Sequence, residues 1–401
     1  MFPMARRLAV LLVAALVAVG AWNWFRPVPA VAATASLHSQ ETVQGTAPSL
    51  PWPKAGSAAV GASGLGLIAT SGNEQPASAA SVTKVMTALV ILSDKPMTLD
   101  QLGPTVTINA ADVQSYEADL ASKQSVVEVL EGEKLTERDL LEGLLIPSAN
   151  NFADTLARWD AGTVDAFVAA MNTKAADLHL TQTTFADTSG ASPNTVSTPS
   201  DLMALGMEAM KDPVFAQIVS MGETTLPVAG VVFNVDSALG QSGIIGIKTG
   251  SGLAEGANFL FAATATADGH PVTVYGCVMG QPTLAIAFAA ARTLIASMVA
   301  SLHVRRVIAR NQAVASYAAP WGGQADLLST VDVDLVEWPG MILRQRLDAR
   351  TLQVNKPINA GTDAGSEHVV LGDYSFDVPL VTGGPLYPPG RLWRLTRVNF
   401  L

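Results

Sequence analysis

The sequence predicts a mixed protein of the α/β (α+β) class, with a larger helix-and-strand region followed by a smaller β-rich C-terminal domain. Three observations carry this. Val82, Val85, Met86 and Leu89 recur at i, i+3, i+4 and i+7, which is one apolar face of a helix. Ile244 to Thr249, Phe259 to Thr264 and Val272 to Val278 are apolar runs of strand length. Beyond residue 303 the chain turns to short β segments broken by Pro and Gly, which marks a domain boundary. The hydrophobic set makes up 49% of the residues and the charged set 14%, so a packed core is expected and a disordered chain is not.

Residues 1–33 carry the marks of export. Arg6 and Arg7 precede an apolar run from Leu8 to Ala21, Trp22-Asn23-Trp24-Phe25 follows, and Ala30-Val31-Ala32 offers a small-residue processing site. The run with its aromatic cluster also approaches the ~20 residues that span a bilayer, the aromatics serving as an interfacial belt. A signal peptide and an N-terminal membrane anchor both stay open, and either places the protein on the extracytoplasmic face of the membrane or in the envelope. Residues 34–56, rich in Ala, Ser, Thr and Pro and ending Pro51-Trp52-Pro53, read as a linker.

The main folded region spans 57–302. It opens with a strand at Leu65 to Ile68 and a turn at Ser71-Gly72-Asn73. Helices follow at Ser81 to Leu92, Asp139 to Leu145, Asn151 to Trp159 and Val164 to Leu178, and Pro147 stops the second. Asp268-Gly269 joins the last two strands as a hairpin, and Leu284 to Leu302 is an Ala-rich helix. Residues 303–390 form the β-rich domain. In the tail, 391–401, Arg391, Arg394 and Arg397 alternate with Leu392, Trp393, Leu395 and Phe400, which fits an amphipathic membrane segment and a final strand equally.

Composition excludes several functions. Lys plus Arg is 24 and Asp plus Glu is 34, a net charge of −10, so no general attraction to nucleic acid is expected. The single cysteine, Cys277, rules out an internal disulfide and a cysteine zinc site, and in its apolar strand it reads as a buried thiol. The five histidines show no metal-ligand spacing, and no cofactor or metal is expected.

The chemistry concentrates in three places. Ser81-Val82-Thr83-Lys84 is a Ser-x-x-Lys, and Lys84 alone among nine lysines has a serine three positions earlier. On a helix these two side chains share a face, so an amine can take the proton of the hydroxyl, and the helix N-terminus favours developing negative charge. The competing reading is a serine N-cap followed by a solvent-facing lysine. Lys248-Thr249-Gly250 ends a strand; there a cation and a hydroxyl can meet a carboxylate, and glycine allows a substrate backbone to approach. Of three Ser-x-Asn triplets (Ser71-Gly72-Asn73, Ser148-Ala149-Asn150 and Ser192-Pro193-Asn194), only the second stands at a sharp break between two helices.

Together these segments resemble a known family. Ser81 to Leu89 is similar to the nucleophile helix of low-molecular-mass penicillin-binding proteins, the serine-type D-alanyl-D-alanine carboxypeptidases. Pro147-Ser148-Ala149-Asn150-Asn151 and Gly246-Ile247-Lys248-Thr249-Gly250 resemble that family's second and third motifs in order and interval, and Val196-Ser197-Thr198 with Asp201-Leu202 resembles a stretch between them. The resemblance implies a serine-transpeptidase/β-lactamase-like domain, a central antiparallel sheet flanked by helices, plus the β-rich second domain. It implies that Ser81 is acylated by a D-Ala-D-Ala peptide, with Lys84 as its base, Ser148 as proton relay and Asn150 as orienting group. Lys248 would supply electrostatic stabilisation, Thr249 would contact the terminal carboxylate, Gly250 would line the groove, and the N–H groups of Ser81 and Ser251 would form the oxyanion hole. The implied partners are the peptidoglycan pentapeptide, β-lactam antibiotics and, through the N-terminal segment, the membrane.

The chain departs from the family in two places. Ser251-Gly252 replaces the usual aromatic or His and Thr, and no arginine follows the hairpin, the next basic residue being Arg292. The pattern Glu-x-x-Leu-Asn, which in β-lactamases supplies the deacylating glutamate, is also missing; Glu208 and Glu223 are the glutamates between Asn150 and Lys248. A β-lactamase and a catalytically weak penicillin-binding interaction protein of the envelope are the alternatives at this level.

Overall fold

A computed structural model describes residues 2–72, 74–252 and 256–397. The chain divides into two compact units, one of residues 46–303 and one made of the residues up to 45 together with those from 304 onward.

The larger unit is built on a five-stranded antiparallel sheet. Its order is Ile244–Gly252, Gly256–Ala267, His270–Gln281, Ser57–Ala62 and Gly66–Thr70. The hairpin at Asp268-Gly269 forms as expected; both residues have positive φ, 47° and 83°, the two-residue turn whose twist matches the strands it joins. Phe259 to Ala263 are all buried, because helices cover both faces of the sheet. Phe259 meets Phe288 of one helix edge-to-face at 4.8 Å. Its neighbour Leu260 points the other way, toward Gly206 of a second helix.

The helices of this unit are best named in chain order, after α1 (Phe2–Phe25), which belongs to the other unit. They are α2 (Lys84–Asp94), α3 (Ala110–Ala121), α4 (Glu137–Leu145), α5 (Asn150–Ala161), α6 (Val164–Asp177), α7 (Pro199–Ala209), α8 (Pro213–Val219) and α9 (Leu284–Val299). The sequence reading omits α3, α7 and α8, although each starts on a recognisable cap. Asn109 and Asp112 make a reciprocal capping box, Thr198 precedes Pro199, and Asp212 precedes Pro213. The helix expected from Asp139 starts two residues earlier because Thr136 caps it and Asp139 returns the bond. The expected amphipathic helix Ser81 to Leu92 also differs. It divides into a 3₁₀ turn, Ala80–Thr83, and α2, and every residue from Lys84 to Leu92 is buried. α4, α5, α6 and α7 all pack on it, so it is a central helix rather than a surface one.

The second unit carries a seven-stranded antiparallel sheet. Its order is Ala33–Ala35, Ala313–Ala318, Gln324–Ser329, Tyr374–Thr382, Asp363–Leu371, Ile342–Ala349 and Gln40–Thr42. The linker reading of 34–56 is therefore corrected: its first residues form both edge strands of this sheet. They pair through the backbone while most of their side chains face outward, so no apolar period marks them in the sequence. In the tail, α10 (Arg391–Thr396) is a short helix packed on α1, and residues 398–401, Phe400 among them, lie outside the described residues.

The sheet's tightness generates a testable expectation. A Cβ on Gly276 would lie 2.4 Å from the Phe261 ring and 2.9 Å from the Ala59 carbonyl oxygen of the neighbouring strand. Gly276→Ala is expected to lower stability by about 1–3 kcal/mol in urea unfolding. An unchanged midpoint would show that the strands around Gly276 can part to admit a methyl group.

Candidate active site

The site is assembled around a backbone turn. The strand Ala77–Ser78 pairs with Val196–Ser197 and delivers the chain to the 3₁₀ turn that carries Ser81. Ala80 takes a left-handed φ of 47°, a costly conformation for a residue with a Cβ. Thr83 holds it by donating to the Ala80 carbonyl at 2.7 Å. Gly190 presses on the same carbonyl: a Cβ there would lie 1.8 Å from the Ala80 oxygen. Asn258, from the sheet, donates to the carbonyls of Ser78 (2.9 Å) and Ala79 (3.2 Å) and accepts from Gly280 N–H (2.9 Å).

Lys84 is completely buried, and its Nζ stands 2.8 Å from Ser81 Oγ, 2.7 Å from Asn150 Oδ1 and 3.1 Å from the Ser189 carbonyl. This disposes of the serine N-cap with a solvent-facing lysine; Ser81 makes no capping bond to α2. The geometry also fixes what a neutral amine does. Two of its neighbours, the Asn150 and Ser189 oxygens, can only accept, so they take its two N–H bonds. The lone pair is left for the Ser81 hydroxyl. The Asn150 amide is held in this orientation by donation from Nδ2 to Gln124 Oε1 at 3.3 Å.

The second segment lies where α4 ends and α5 begins. Ser148 has a left-handed φ of 68°, is 4% exposed, and its hydroxyl finds no hydrogen-bond partner among the described residues. Such a group costs roughly 1–3 kcal/mol, a strain typical of functional positions. Asn151, which the sequence reading passed over, bridges Val127 by accepting from its N–H (3.1 Å) and donating to its carbonyl (2.9 Å). Of the other triplets, Asn73 lies outside the described residues and Asn194 is exposed in a loop.

Lys248, Thr249, Gly250 and Ser251 sit on the edge strand Ile244–Gly252, which packs against the Ser81 turn. Lys248 and Thr249 are buried, and Ser251 is exposed. Lys248 Nζ donates to the Thr249 carbonyl at 3.2 Å. The reason for Gly250 differs from the expected one. A Cβ there would come 3.1 Å from both the Ala79 oxygen and the Ser81 nitrogen, so the backbone it admits is that of the Ser81 turn. Where the family places an arginine, Gln281 is buried on the Ala55 carbonyl at 2.6 Å, and Arg292 binds Gln241 instead.

Burial dominates the electrostatics. Desolvation, with the charge of Lys248 second, holds the Lys84 amine well below its ordinary value, against the pull of Asp187, Asp119 and Asp154. Desolvation lowers Lys248 to about 7, opposed by Asp236. Asp119 is half-buried and raised to about 6 by desolvation and Asp154.

Several contributors escaped the sequence. Ser189 acts through a carbonyl, which no residue pattern reports. Its loop is shaped by Asp187, which accepts from Ser189 Oγ (3.0 Å), Ala191 N–H (2.8 Å) and Thr195 Oγ1 (2.5 Å). Gln124, Asp236 and Asn258 are single polar residues in ordinary surroundings. The signal available was the run Asp187-Thr188-Ser189-Gly190, a turn composition too rich in hydrogen-bonding groups for an idle loop.

Comparison with known proteins agrees on the larger unit. The family described as D-alanyl-D-alanine carboxypeptidase matches residues 46–283. A D-alanyl-D-alanine carboxypeptidase of Streptomyces sp. (strain K15) is 33% identical over 224 residues, which cover 52% of this chain and 74% of the relative. The carboxypeptidase DacB2 of Mycobacterium tuberculosis is 36% identical over 215 residues, 51% of this chain and 69% of the relative. The crystal structure of the Streptomyces K15 DD-transpeptidase superposes with a TM-score of 0.55 at 29% identity, covering 64% of this chain and 99% of that one. The DacD carboxypeptidase of Francisella tularensis, at 18% identity, matches the fold over 85% of this chain and 95% of its own, with a TM-score of 0.60.

Burying two amines makes folding depend on pH. The unfolded chain keeps the Lys248 proton up to the ordinary value of 10.5, whereas the folded chain releases it near 7. Between those values the unfolded state binds more protons, so stability rises with pH, by up to about 1.4 kcal/mol per pH unit for one group. Urea unfolding is expected to show this rise from pH 7 to 8.5, and Lys248→Met is expected to reduce the slope. At higher pH the buried Cys277 thiol, whose value is pushed up, acts with the opposite sign. A slope indifferent to the substitution would contradict the burial of the amine.

Proposed function

The chain belongs to the family of serine-type D-alanyl-D-alanine carboxypeptidases, and on that premise we propose how its own residues divide the reaction. The observation that carries the assignment is the buried Lys84 amine, 2.8 Å from Ser81 Oγ with its two N–H bonds already claimed. Ser81 attacks the carbonyl of the penultimate D-alanine of a peptidoglycan stem peptide, and Lys84 takes the hydroxyl proton. The oxyanion is met by the N–H groups of Ser81 and Ser251; one such donor is typically worth about 3–4 kcal/mol of barrier. Ser148 passes a proton to the leaving amine of the terminal D-alanine, and its buried hydroxyl, without a partner among the described residues, is disposed for that role. Lys248 supplies electrostatic stabilisation, bonded to the Thr249 carbonyl, and Thr249 contacts the terminal carboxylate. Water then releases the acyl group.

Penicillin presents the same carbonyl and acylates the same oxygen. The enzyme works outside the cytoplasm, delivered there by the N-terminal segment, where the cell-wall peptide lies. The β-lactamase alternative loses ground in the structure. Glu208 pairs with Lys211 at 2.6 Å on α7, and Glu223 is exposed on the strand Glu223–Leu226, so neither glutamate stands beside Ser81.

Intact-mass analysis after penicillin treatment is expected to show one adduct, absent in Ser81→Ala although that variant folds. An adduct that persists would remove Ser81 from the site. D-alanine release from a pentapeptide separates an active enzyme from a weak penicillin-binding interaction protein. Acylation is expected to accelerate with pH along a limb below the ordinary lysine value, because only neutral Lys84 can accept a proton. Lys84→Arg is expected to be nearly inactive, since a guanidinium keeps its proton throughout. A rate independent of pH between 5 and 10 would contradict both.

The adduct is also expected to clear slowly, since lacking a general base typically costs about 10²–10⁴ in rate. Loss of the adduct at about 10 s⁻¹ or faster in stopped-flow experiments would promote the lactamase reading, with Asp119 as the base to test.

A further inference from the structure

The export segment and the chain's last described residues form one packed structure. α1 ends at Phe25, where its final carbonyls have no partner within the helix. Arg397 supplies that partner. Its guanidinium is buried and donates to the carbonyls of Asn23 (2.7 and 3.2 Å), Arg26 (2.5 Å) and Pro27 (2.9 Å). Asn23, 4% exposed, answers by donating to the Leu395 carbonyl at 3.1 Å. Trp393 stacks edge-on to Trp321 at 5.4 Å and lies under the Arg397 guanidinium, so α10 is fixed from its other side as well.

The chain then passes directly into the β-rich unit. Val28 and Val31 are buried, Val31 exchanges both backbone hydrogen bonds with Leu352 at 2.9 Å, and Ala33–Ala35 pairs with the strand Ala313–Ala318. The processing site suggested by the sequence, Ala30-Val31-Ala32, lies inside this connection. A chain that started after Ala32 would leave the Arg397 guanidinium buried without any of its acceptors and Leu352 without its partner.

α1 itself is almost wholly uncovered. Its stretch Arg6–Phe25 is long and apolar enough to cross a membrane, and Leu8, Leu11, Leu16 and Val17 are each more than 60% exposed. α10 lies at the level of its outer end, for a Cβ at Gly20 would sit 3.7 Å from Leu395 Cδ2. Trp22 and Phe25 are exposed at that level, as are Leu392 (75%) and Leu395 (42%) on α10. Arg26 and Arg394 are close enough to act on Arg397 there, in a chain whose net charge is −10. Aromatic, aliphatic and cationic side chains together match the headgroup boundary of a phospholipid bilayer.

We propose that α1 is a retained transmembrane anchor and that Arg397 clasps residues 391–397 onto its outer end, where α10 lies in the bilayer interface. This deepens the envelope location proposed above and is independent of the chemistry assigned to Ser81.

Three measurements on the full chain test it. Intact mass of protein extracted from membranes is expected to include residues 1–32; a chain beginning after Ala32 would overturn retention. Gly20→Cys combined with Leu395→Cys, treated with a short bifunctional thiol reagent in phosphatidylglycerol/phosphatidylcholine vesicles, is expected to give an internal link. Cys277 is buried and adds no background. Adding Arg397→Ala is expected to slow linking about tenfold as the tail opens locally. Penicillin labelling of every variant shows that the peptidase unit is folded. No link, links between copies instead of within one, or linking indifferent to Arg397→Ala would overturn the clasp. In the same vesicles, Leu392→Cys is expected to react with a water-soluble maleimide at least about tenfold more slowly than Leu67→Cys, whose parent side chain is 49% exposed on the larger unit. Equal rates would overturn the seat in the interface.

Discussion

One amine with three oxygens around it governs the site. Lys84 Nζ is buried, and the Asn150 and Ser189 oxygens take hydrogens and return none. In the proposed reaction its lone pair is therefore left to the Ser81 hydroxyl. Much of the surrounding structure serves this placement. α2 is buried all round so that its first residue is dry, and its one remaining polar side chain there, Thr87, is satisfied by the Thr188 carbonyl at 2.6 Å. Gly190 and Gly250 let two separate backbones close on the turn at Ala80 and Ser81, and Asn258 fastens that turn to the sheet.

The arrangement opposes stability. Two buried lysines with no carboxylate in an ion pair and a buried serine hydroxyl with no partner, among the described residues, and two left-handed residues with side chains, Ala80 and Ser148, are each unfavourable. The sheet and the α2 core offset them. Phe259, Phe261 and Phe288 pack between strand and helix, and α4 to α7 enclose α2 with Leu, Phe and Met side chains. A chemical site is thus held in an unfavourable state by the apolar frame around it.

How much of this was legible depends on the kind of atom that acts. Side chains with fixed helical spacing were readable: Ser81 and Lys84 are three apart, and one face of a helical turn brings them together. Ser148 and Asn150 were readable only because Pro147 breaks the chain beside them, and the structure brings Asn150 to Lys84 from 66 positions away. Contributions from main-chain atoms were invisible. The Ser189 carbonyl, the turn that Gly250 accommodates, and the edge strands Ala33–Ala35 and Gln40–Thr42 all work through groups every residue possesses. Likewise the Arg391, Arg394 and Arg397 spacing suggested a membrane tail or a strand. That Arg397 turns inward to cap another helix depends on chain ends 374 positions apart in sequence.

The direct test of the central claim is the titration of Lys84 itself. With ¹³C at lysine Cε, the Lys84 resonance is assigned by its absence in Lys84→Met, and its shift is followed with pH. The expected result is a titration well below 10.5, with Lys84→Met leaving the surface lysines unchanged. A Lys84 resonance that titrates near 10.5, as a free lysine does, would mean that the amine is charged when Ser81 reacts, and the buried-base mechanism would be contradicted.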